Sequence, residues 1–224
     1  MTKSIFILIF SLSISIGHGQ TMLTVEDNDP AAKKILDKLK AEYDTYTSME
    51  VDFELVLELP QQETEIQNGL VIQQGENYKL ELDDRAIYSN GEYLWLHIKK
   101  NNEVQINDAD MDDETNMMSP KDMLQLYDSG KFAYVITAEP LLNGRKVTQI
   151  EFKPLDRDSE FSKMTLYVDK KSKKMAQMKV FSKDGGRYTL KINDITPNKK
   201  YPLGIFAFDE SKFPGIHVED LRID

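Results

Sequence analysis

The sequence contains no cysteine. That excludes disulfides, thiolate zinc sites, iron–sulfur clusters, thiol nucleophiles and an N-terminal lipid-modified cysteine. Positive charge is also short: 28 Lys and Arg stand against 38 Asp and Glu, a formal net charge of −10 at pH 7. A nucleic-acid surface needs a basic patch, and so does electrostatic docking on anionic lipid, so neither partner is expected. Histidine is scarce too. Beyond residue 20 there are only His97 and His217, with no neighbouring His or Glu at metal-ligand spacing. The nucleophile-elbow, zinc-helix, phosphate-loop and dinucleotide motifs are all missing. No catalytic residue, metal or cofactor is therefore assigned, and the chain is read as a non-enzyme.

Two acidic patterns come close to a site. Asp108, Asp110 and Asp112 open like a calcium loop, but the sixth position is Asp113 where glycine is needed and the twelfth is Ser119 where a bidentate glutamate is needed. The stretch is read as a solvated acidic loop. Asp83-Asp84 and Glu63/Glu65 could be drawn as acid/base pairs, but such neighbours are expected among 38 acids.

What is present is a chain of 224 residues, 40% hydrophobic, enough to bury a sizeable core. Its first twenty residues differ from the rest. Lys3 precedes an apolar run over residues 5–16, and Gly17-His18-Gly19 offers small residues ahead of Gln20. This is the layout of a secretory signal peptide, residues 1–19, cleaved near Gly19/Gln20. A run of about 12 residues is too short for a bilayer core of about 30 Å. Its removal takes away one lysine and no acid, so export makes the chain more acidic. No repeat or linker divides residues 20–224, which are expected to form one domain.

Asp29-Pro30 marks a helix start, with Asp29 as cap and Pro30 where its missing N–H costs nothing. Ile35, Leu36, Leu39 and Tyr43 then form one apolar stripe, predicting an amphipathic helix over residues 30–46. The period changes to two over residues 49–59, a strand that Pro60 ends. Further strands are expected over residues 69–73, 77–82, 86–89, 92–98 and 103–106, with Asn90-Gly91 as a hairpin turn. After the acidic loop at residues 107–118, Ser119-Pro120 opens a second helix, with Met123, Leu124, Leu126 and Tyr127 as its apolar side and Gly130 as its stop. Strands resume over residues 132–137, 146–153, 164–169, 175–182 and 188–195, and Phe206 and Phe208 suggest a last short one. Ten or eleven strands in sequential antiparallel order with two helices imply a mainly β protein. A sheet of that size must curl. The expected object is an unclosed, curved antiparallel barrel with helices as a lid over an apolar cavity, an architecture that often holds a hydrophobic ligand.

Several segments in order sharpen this picture. Asp29-Pro30-Ala31-Ala32 with Ile35-Leu36 leads into Met49-Glu50-Val51-Asp52-Phe53, then Gly69-Leu70-Val71-Ile72, Tyr78-Lys79-Leu80-Glu81-Leu82 and Asn90-Gly91-Glu92-Tyr93-Leu94-Trp95. Later come Leu166-Tyr167-Val168-Asp169, Val180-Phe181-Ser182-Lys183-Asp184-Gly185 and Phe206-Ala207-Phe208 ahead of Phe213-Pro214-Gly215. Over residues 29–222 this set is similar to the outer-membrane lipoprotein carrier family (LolA-like), especially its Bacteroidetes-type members. The resemblance implies a monomeric periplasmic carrier with a half-barrel of about eleven strands. Such a carrier takes acylated lipoproteins from an inner-membrane lipoprotein-releasing ABC transporter and, in many members, passes them to an outer-membrane acceptor. The competing reading is an envelope sensor or assembly partner that uses the same half-barrel to bind another protein or a free lipid.

Candidate lipid-cavity residues follow from the apolar strand faces: Val51, Phe53, Leu55, Leu57, Leu80, Leu82, Trp95, Ile150, Phe152, Leu166, Val168, Met178 and Val180. Candidate lid residues are Leu36, Leu39, Met123, Leu124 and Tyr127. One departure stands out. In the well-studied branch of the family, an Arg-Pro pair after the strand matching residues 70–73 supplies the arginine that keeps the lid shut. This chain has Gln74-Gly75 there, so a latch built on arginine's planar donor set is not expected.

Overall fold

The computed structural model describes residues 24–109 and 126–222. The expected leader, most of the acidic loop, and Met123 and Leu124 of the expected second helix lie outside those residues.

One α-helix is present among the described residues: α1, Pro30–Asp44. Asp29 caps it, its carboxylate accepting the Ala31 N–H at 2.8 Å, and Pro30 occupies the first position. Ala32, Leu36, Leu39 and Tyr43 are its buried residues, spaced four, three and four apart. That spacing puts them on one face, while Lys33–Asp37 and Lys40–Asp44 pair on the wet one. Leu126–Asp128 is a single 3-10 turn.

The strands are β1 (Ser48–Glu58), β2 (Glu65–Gln74), β3 (Asn77–Leu82), β4 (Arg85–Ser89), β5 (Tyr93–Ile98), β6 (Glu103–Asp108), β7 (Phe132–Ala138), β8 (Leu141–Leu142), β9 (Arg145–Pro154), β10 (Phe161–Asp169), β11 (Met175–Ser182), β12 (Arg187–Pro197) and β13 (His217–Asp220). They form one sheet in the order β13-β6-β5-β4-β3-β2-β1-β12-β11-β10-β9-β7, with β8 attached to β9. Among the described residues thirteen strands replace the ten or eleven expected, because β8 and β13 are short segments without an alternating pattern of their own.

Sequential pairing holds from β1 to β6 and from β9 to β12. It fails at the centre, where β1 pairs with β12 across ten registered positions, Met49↔Pro197 to Glu58↔Arg187. Two meanders are thus zipped together by a contact between distant parts of the chain. The last strand also departs from expectation. Leu203–Phe206 is a 3-10 turn, and the terminal strand is β13, which runs parallel to β6. Phe206 and Phe208 are buried because they pack on the sheet, not because they extend it.

The sheet is curved. Its buried apolar face wraps helix α1, which bonds to β7 through Asp29 and to β11 through Tyr43, as expected of so large a sheet, which must curl. Helix α1 lies within that curl, its Leu36, Leu39 and Tyr43 joining the cluster.

Candidate functional site

The concave face is built by strand alternation. On β1, Met49, Val51 and Phe53 are buried in the cluster and Leu55 packs against it. From β3 come Leu80 and Leu82, from β9 Ile150 and Phe152, from β10 Leu166 and Val168, and from β11 Met178, with Val180 at the margin. Leu57 is half-buried at the end of the same β1 face.

Trp95 is placed elsewhere. On β5, Leu94 and Leu96 pack against the concave cluster, so Tyr93, Trp95 and His97 take the opposite face. There His97 is buried, with Phe208 at 5.1 Å and Phe213 at 4.6 Å between ring centroids. Those two phenylalanines stack at 4.9 Å, and Tyr88 meets Phe208 edge-on at 5.7 Å. The C-terminal segment therefore covers the back of β3–β6. Apolar residues on both faces of β5, Tyr93 and Trp95 against Leu94 and Leu96, concealed this from the sequence.

The lid residues Leu36, Leu39 and Tyr127 are all buried in the concave cluster. Helix α1 is tied down along its length. At its start, the second Asp29 carboxylate oxygen accepts the Ile136 N–H at 3.1 Å, and the Asn28 side-chain oxygen accepts the Tyr134 N–H at 2.8 Å. The Asp29 N–H donates to the Tyr134 carbonyl at 3.0 Å. Residues 28 and 29 thereby satisfy the exposed edge of β7, which would otherwise be a pairing hazard. At mid-helix, the Tyr127 hydroxyl donates to Asp37 at 3.0 Å, beside Lys33 at 2.8 Å. Near its end, the Met175 N–H donates to the Tyr43 hydroxyl oxygen at 3.2 Å.

The electrostatics agree. The Asp29 carboxyl is held below its ordinary pKa by the Ile136 and Ala31 amides. The Asp37 carboxyl is lowered by Lys33 first and then by the Tyr127 hydroxyl, against a burial penalty. Burial pushes the Tyr43 phenol up to about 12, so it stays neutral at physiological pH. Tyr127 is raised by burial and by its bond to Asp37.

Gln74 does not touch α1 in these bonds. Its side chain donates to the Tyr201 carbonyl at 3.3 Å and accepts the Tyr201 N–H at 3.1 Å, anchoring the start of the C-terminal segment. Gly75 takes φ +61 in the β2–β3 turn with open space where a Cβ would stand. Gln74 thus serves the C-terminal segment, and Asp29, Asp37 and Tyr43 hold the helix. Asp29 was legible as a cap. Its second bond, and the tyrosine hydroxyls, were not, because each partner lies 90 residues or more away.

Two polar atoms interrupt the apolar face. Gln67 and Gln73 lie on the same side of β2 as Val71, and the side-chain oxygen of each is buried without a partner. The Gln67 amide nitrogen is held by Glu65. An unpaired buried acceptor costs about 1–3 kcal/mol, so such groups call for a reason. Beside Gln73 is an open cavity of about 340 Å³ lined by Tyr43, Tyr46, Thr47, Ser48, Met49, Gln73 and Gly75. Among the described residues no group of acids and histidines is placed to hold a metal, and no helix is long and apolar enough to cross a membrane.

Comparison with known proteins fits this geometry. The family model for the outer membrane lipoprotein carrier protein LolA matches residues 44–209. No curated protein matches significantly. Among solved structures, an uncharacterized conserved protein from Thermus thermophilus superposes with TM-score 0.54 at 11% identity, covering 85% of this chain and 99% of that one. LprF from Mycobacterium bovis gives TM-score 0.52 at 13% identity, covering 78% and 97%. At such identities these two speak for the fold alone.

Proposed function

The chain belongs to the outer membrane lipoprotein carrier family, and from that premise we propose that it binds the acyl chains of lipoproteins on its concave face and carries them from inner to outer membrane. The carrying observation is the curled apolar face under helix α1, which is tied at its start, middle and end. Each CH2 exposed to water costs about 0.8 kcal/mol, so an acyl chain in transit needs a dry surface. It must also be released. The polar ties of α1 are a few hydrogen bonds, each worth about 1 kcal/mol net, and an acyl chain buried in place of its apolar residues Leu36, Leu39 and Tyr43 offsets the rest of the cost of displacing it.

In this reading the leader at residues 1–19 directs export and is removed. The protein then works in the periplasm, and no cysteine in the sequence is available to carry a lipid. An ABC transporter in the inner membrane loads it. Val51, Phe53, Leu80, Leu82, Ile150, Phe152, Leu166, Val168 and Met178 form the acyl-contacting floor, with Leu55, Leu57 and Val180 at its margins and Leu36, Leu39 and Tyr127 as its cover. The test is titration of the mature protein with a fluorescent triacyl peptide, followed by release of lipoproteins from spheroplasts. Saturable binding and release of lipoproteins into the soluble fraction are expected. Recovery from envelope extract of one non-lipidated partner and no lipoprotein would favour an assembly role instead.

A further inference from the structure

The chain is acidic overall, yet the fold gathers six cations at one end of the sheet. The β8–β9 turn brings Arg145 and Lys146, and the β10–β11 turn brings Lys170, Lys171, Lys173 and Lys174. The Lys170 N–H donates to the Lys146 carbonyl at 2.9 Å, which sets the two turns side by side. The acids among them are already committed. Glu139 pairs with Lys170 at 2.6 Å, and buried Asp169 accepts the Lys171 and Ser172 N–H groups at 2.8 and 2.7 Å. The other five cations form no ion pair among the described residues, and Arg145, Lys146, Lys171 and Lys173 are exposed. Against these turns lies a cavity of about 190 Å³, lined also by residues of β11 and β12 and several times the roughly 30 Å³ that a water occupies. Two of its polar lining residues are spent: Lys191 pairs with Glu54 at 2.5 Å, and Asn193 donates to Asp52 at 2.6 Å. Arg145 and Gln177 are not. Gln177 is 5% exposed, its side chain makes no hydrogen bond among the described residues, and neither of its amide atoms is sealed from solvent. Its polar end therefore opens to the cavity that it lines.

A guanidinium and a primary amide lining one cavity suit a carboxylate. Arginine's planar fork matches two carboxylate oxygens, and the Gln177 NH2 can donate to the same group while its oxygen accepts a backbone N–H. A free inorganic anion has no use for that oxygen. A layer of lipid headgroups is flat, so it reaches exposed lysines but does not enter a recess behind them. A peptide with acidic side chains meets the cations, the recess and both ends of the amide. We propose that this end of the sheet is a docking site for an extended acidic segment of a partner protein, one carboxylate entering the cavity against Arg145 and Gln177 while its neighbours lie on Lys146, Lys171 and Lys173. The site stands apart from the concave face and does not depend on the carrier reading above. The β10–β11 turn runs directly into Met175, whose N–H holds the Tyr43 hydroxyl of α1, so a docked partner sits beside one of the ties of the lid.

The test uses the mature protein and two fluorescein-labelled octapeptides, one alternating glutamate with serine and the other carrying glutamine in place of each glutamate. The glutamate peptide should bind about tenfold more tightly at low salt, the sum of several exposed charge pairs. The difference should shrink as salt rises from about 50 to about 300 mM. Arg145→Ala and Gln177→Leu should each weaken binding of the glutamate peptide about fivefold, the value of one hydrogen bond. Gln177→Met gives a second, more adaptable apolar replacement with the same expected loss. Equal binding of the two peptides by the parent would overturn the proposal, as would undiminished binding by the Arg145 variant or by both Gln177 variants. Capture of the protein by phosphatidylglycerol vesicles without binding of the glutamate peptide would also overturn it and assign the cations to a membrane surface. No peptide carries an acyl chain, so failure here leaves the carrier reading standing.

Discussion

The ring tip of Phe53 rests on the bare backbone of Gly69. The two residues sit opposite each other in the β1–β2 register, and a Cβ at residue 69 would lie 2.2 Å from the Phe53 ring. No real Cβ could occupy that place, so the buried ring of Phe53 exists in its present rotamer because residue 69 has no side chain. The pair also sets the depth of the concave face at the middle of the sheet. Gly69→Ala should force the ring inward and cost about 1–3 kcal/mol, the usual range for overpacking. Adding Phe53→Leu should recover part of that loss, because the clashing atoms are gone. Thermal melts of the two single variants and the double variant measure the coupling. Acyl-probe affinity should drop in Gly69→Ala, where the displaced ring fills space that a chain would occupy.

Tyr43→Phe keeps the ring stacked on Tyr46 at 5.5 Å but leaves the Met175 N–H without its acceptor. A buried donor stranded in this way costs about 1–3 kcal/mol. Amide exchange should rise in the last two turns of α1 and at Met175, with little change in β1–β6. A uniform rise across the sheet would show that the tyrosine matters to the whole core and not to the lid.

Asp29 ties the lid in a pH-dependent way. Its folded pKa lies below the ordinary 3.8 because the Ile136 and Ala31 amides favour the charged form. A depressed carboxyl contributes stability that is complete above its ordinary pKa and is lost as pH falls through the lower folded value. Protection of α1 amides should therefore weaken as pH drops below about 4. Asp29→Asn should flatten this dependence. Asp29→Ala should cost about 0.5–2 kcal/mol at neutral pH through the lost cap alone, and should raise exchange at the β7 edge as well.

His97, on the other face, also loses stability on acidification, but in a higher pH window and because its charged form is disfavoured. Burial, and next the Lys99 charge, push its pKa below the ordinary 6.5, while Glu81 opposes them. The folded state thus disfavours the imidazolium, and stability should fall as pH drops through about 6.5 toward the folded value. Phe208 and Phe213, which enclose the ring, should loosen first. Trp95 is the single tryptophan and lies two residues away on the same strand face, so its emission is a native reporter. His97→Phe should remove the pH dependence of that signal while leaving the emission at neutral pH nearly unchanged.

Much of the secondary structure was readable because it is governed by local periodicity. Met49, Val51, Phe53 and Leu55 alternate with charged residues, so β1 and its inner face could be drawn directly, and the Asp29-Pro30 start of α1 needed only capping chemistry. Mixed strands were harder. On β2 both sides carry apolar and polar residues, so nothing in Gln67 or Gln73 showed that their side chains face inward. On β5 the run Tyr93-Leu94-Trp95-Leu96 is apolar on both sides, and parity could not choose between them.

The alternation of side chains along strands such as β1 and the capped amphipathic helix were decided by the sequence alone, since each depends on residues within a few positions of one another. The pairing of β1 with β12, the folding of Phe206–Phe213 onto the back of the sheet, the unpaired oxygen of Gln73 and the ties from Asp29, Asp37 and Tyr43 were decided only by tertiary structure. Those contacts join atoms far apart in the chain, and a hydrogen bond or a packed ring depends on position to within a few tenths of an ångström, which no local pattern specifies.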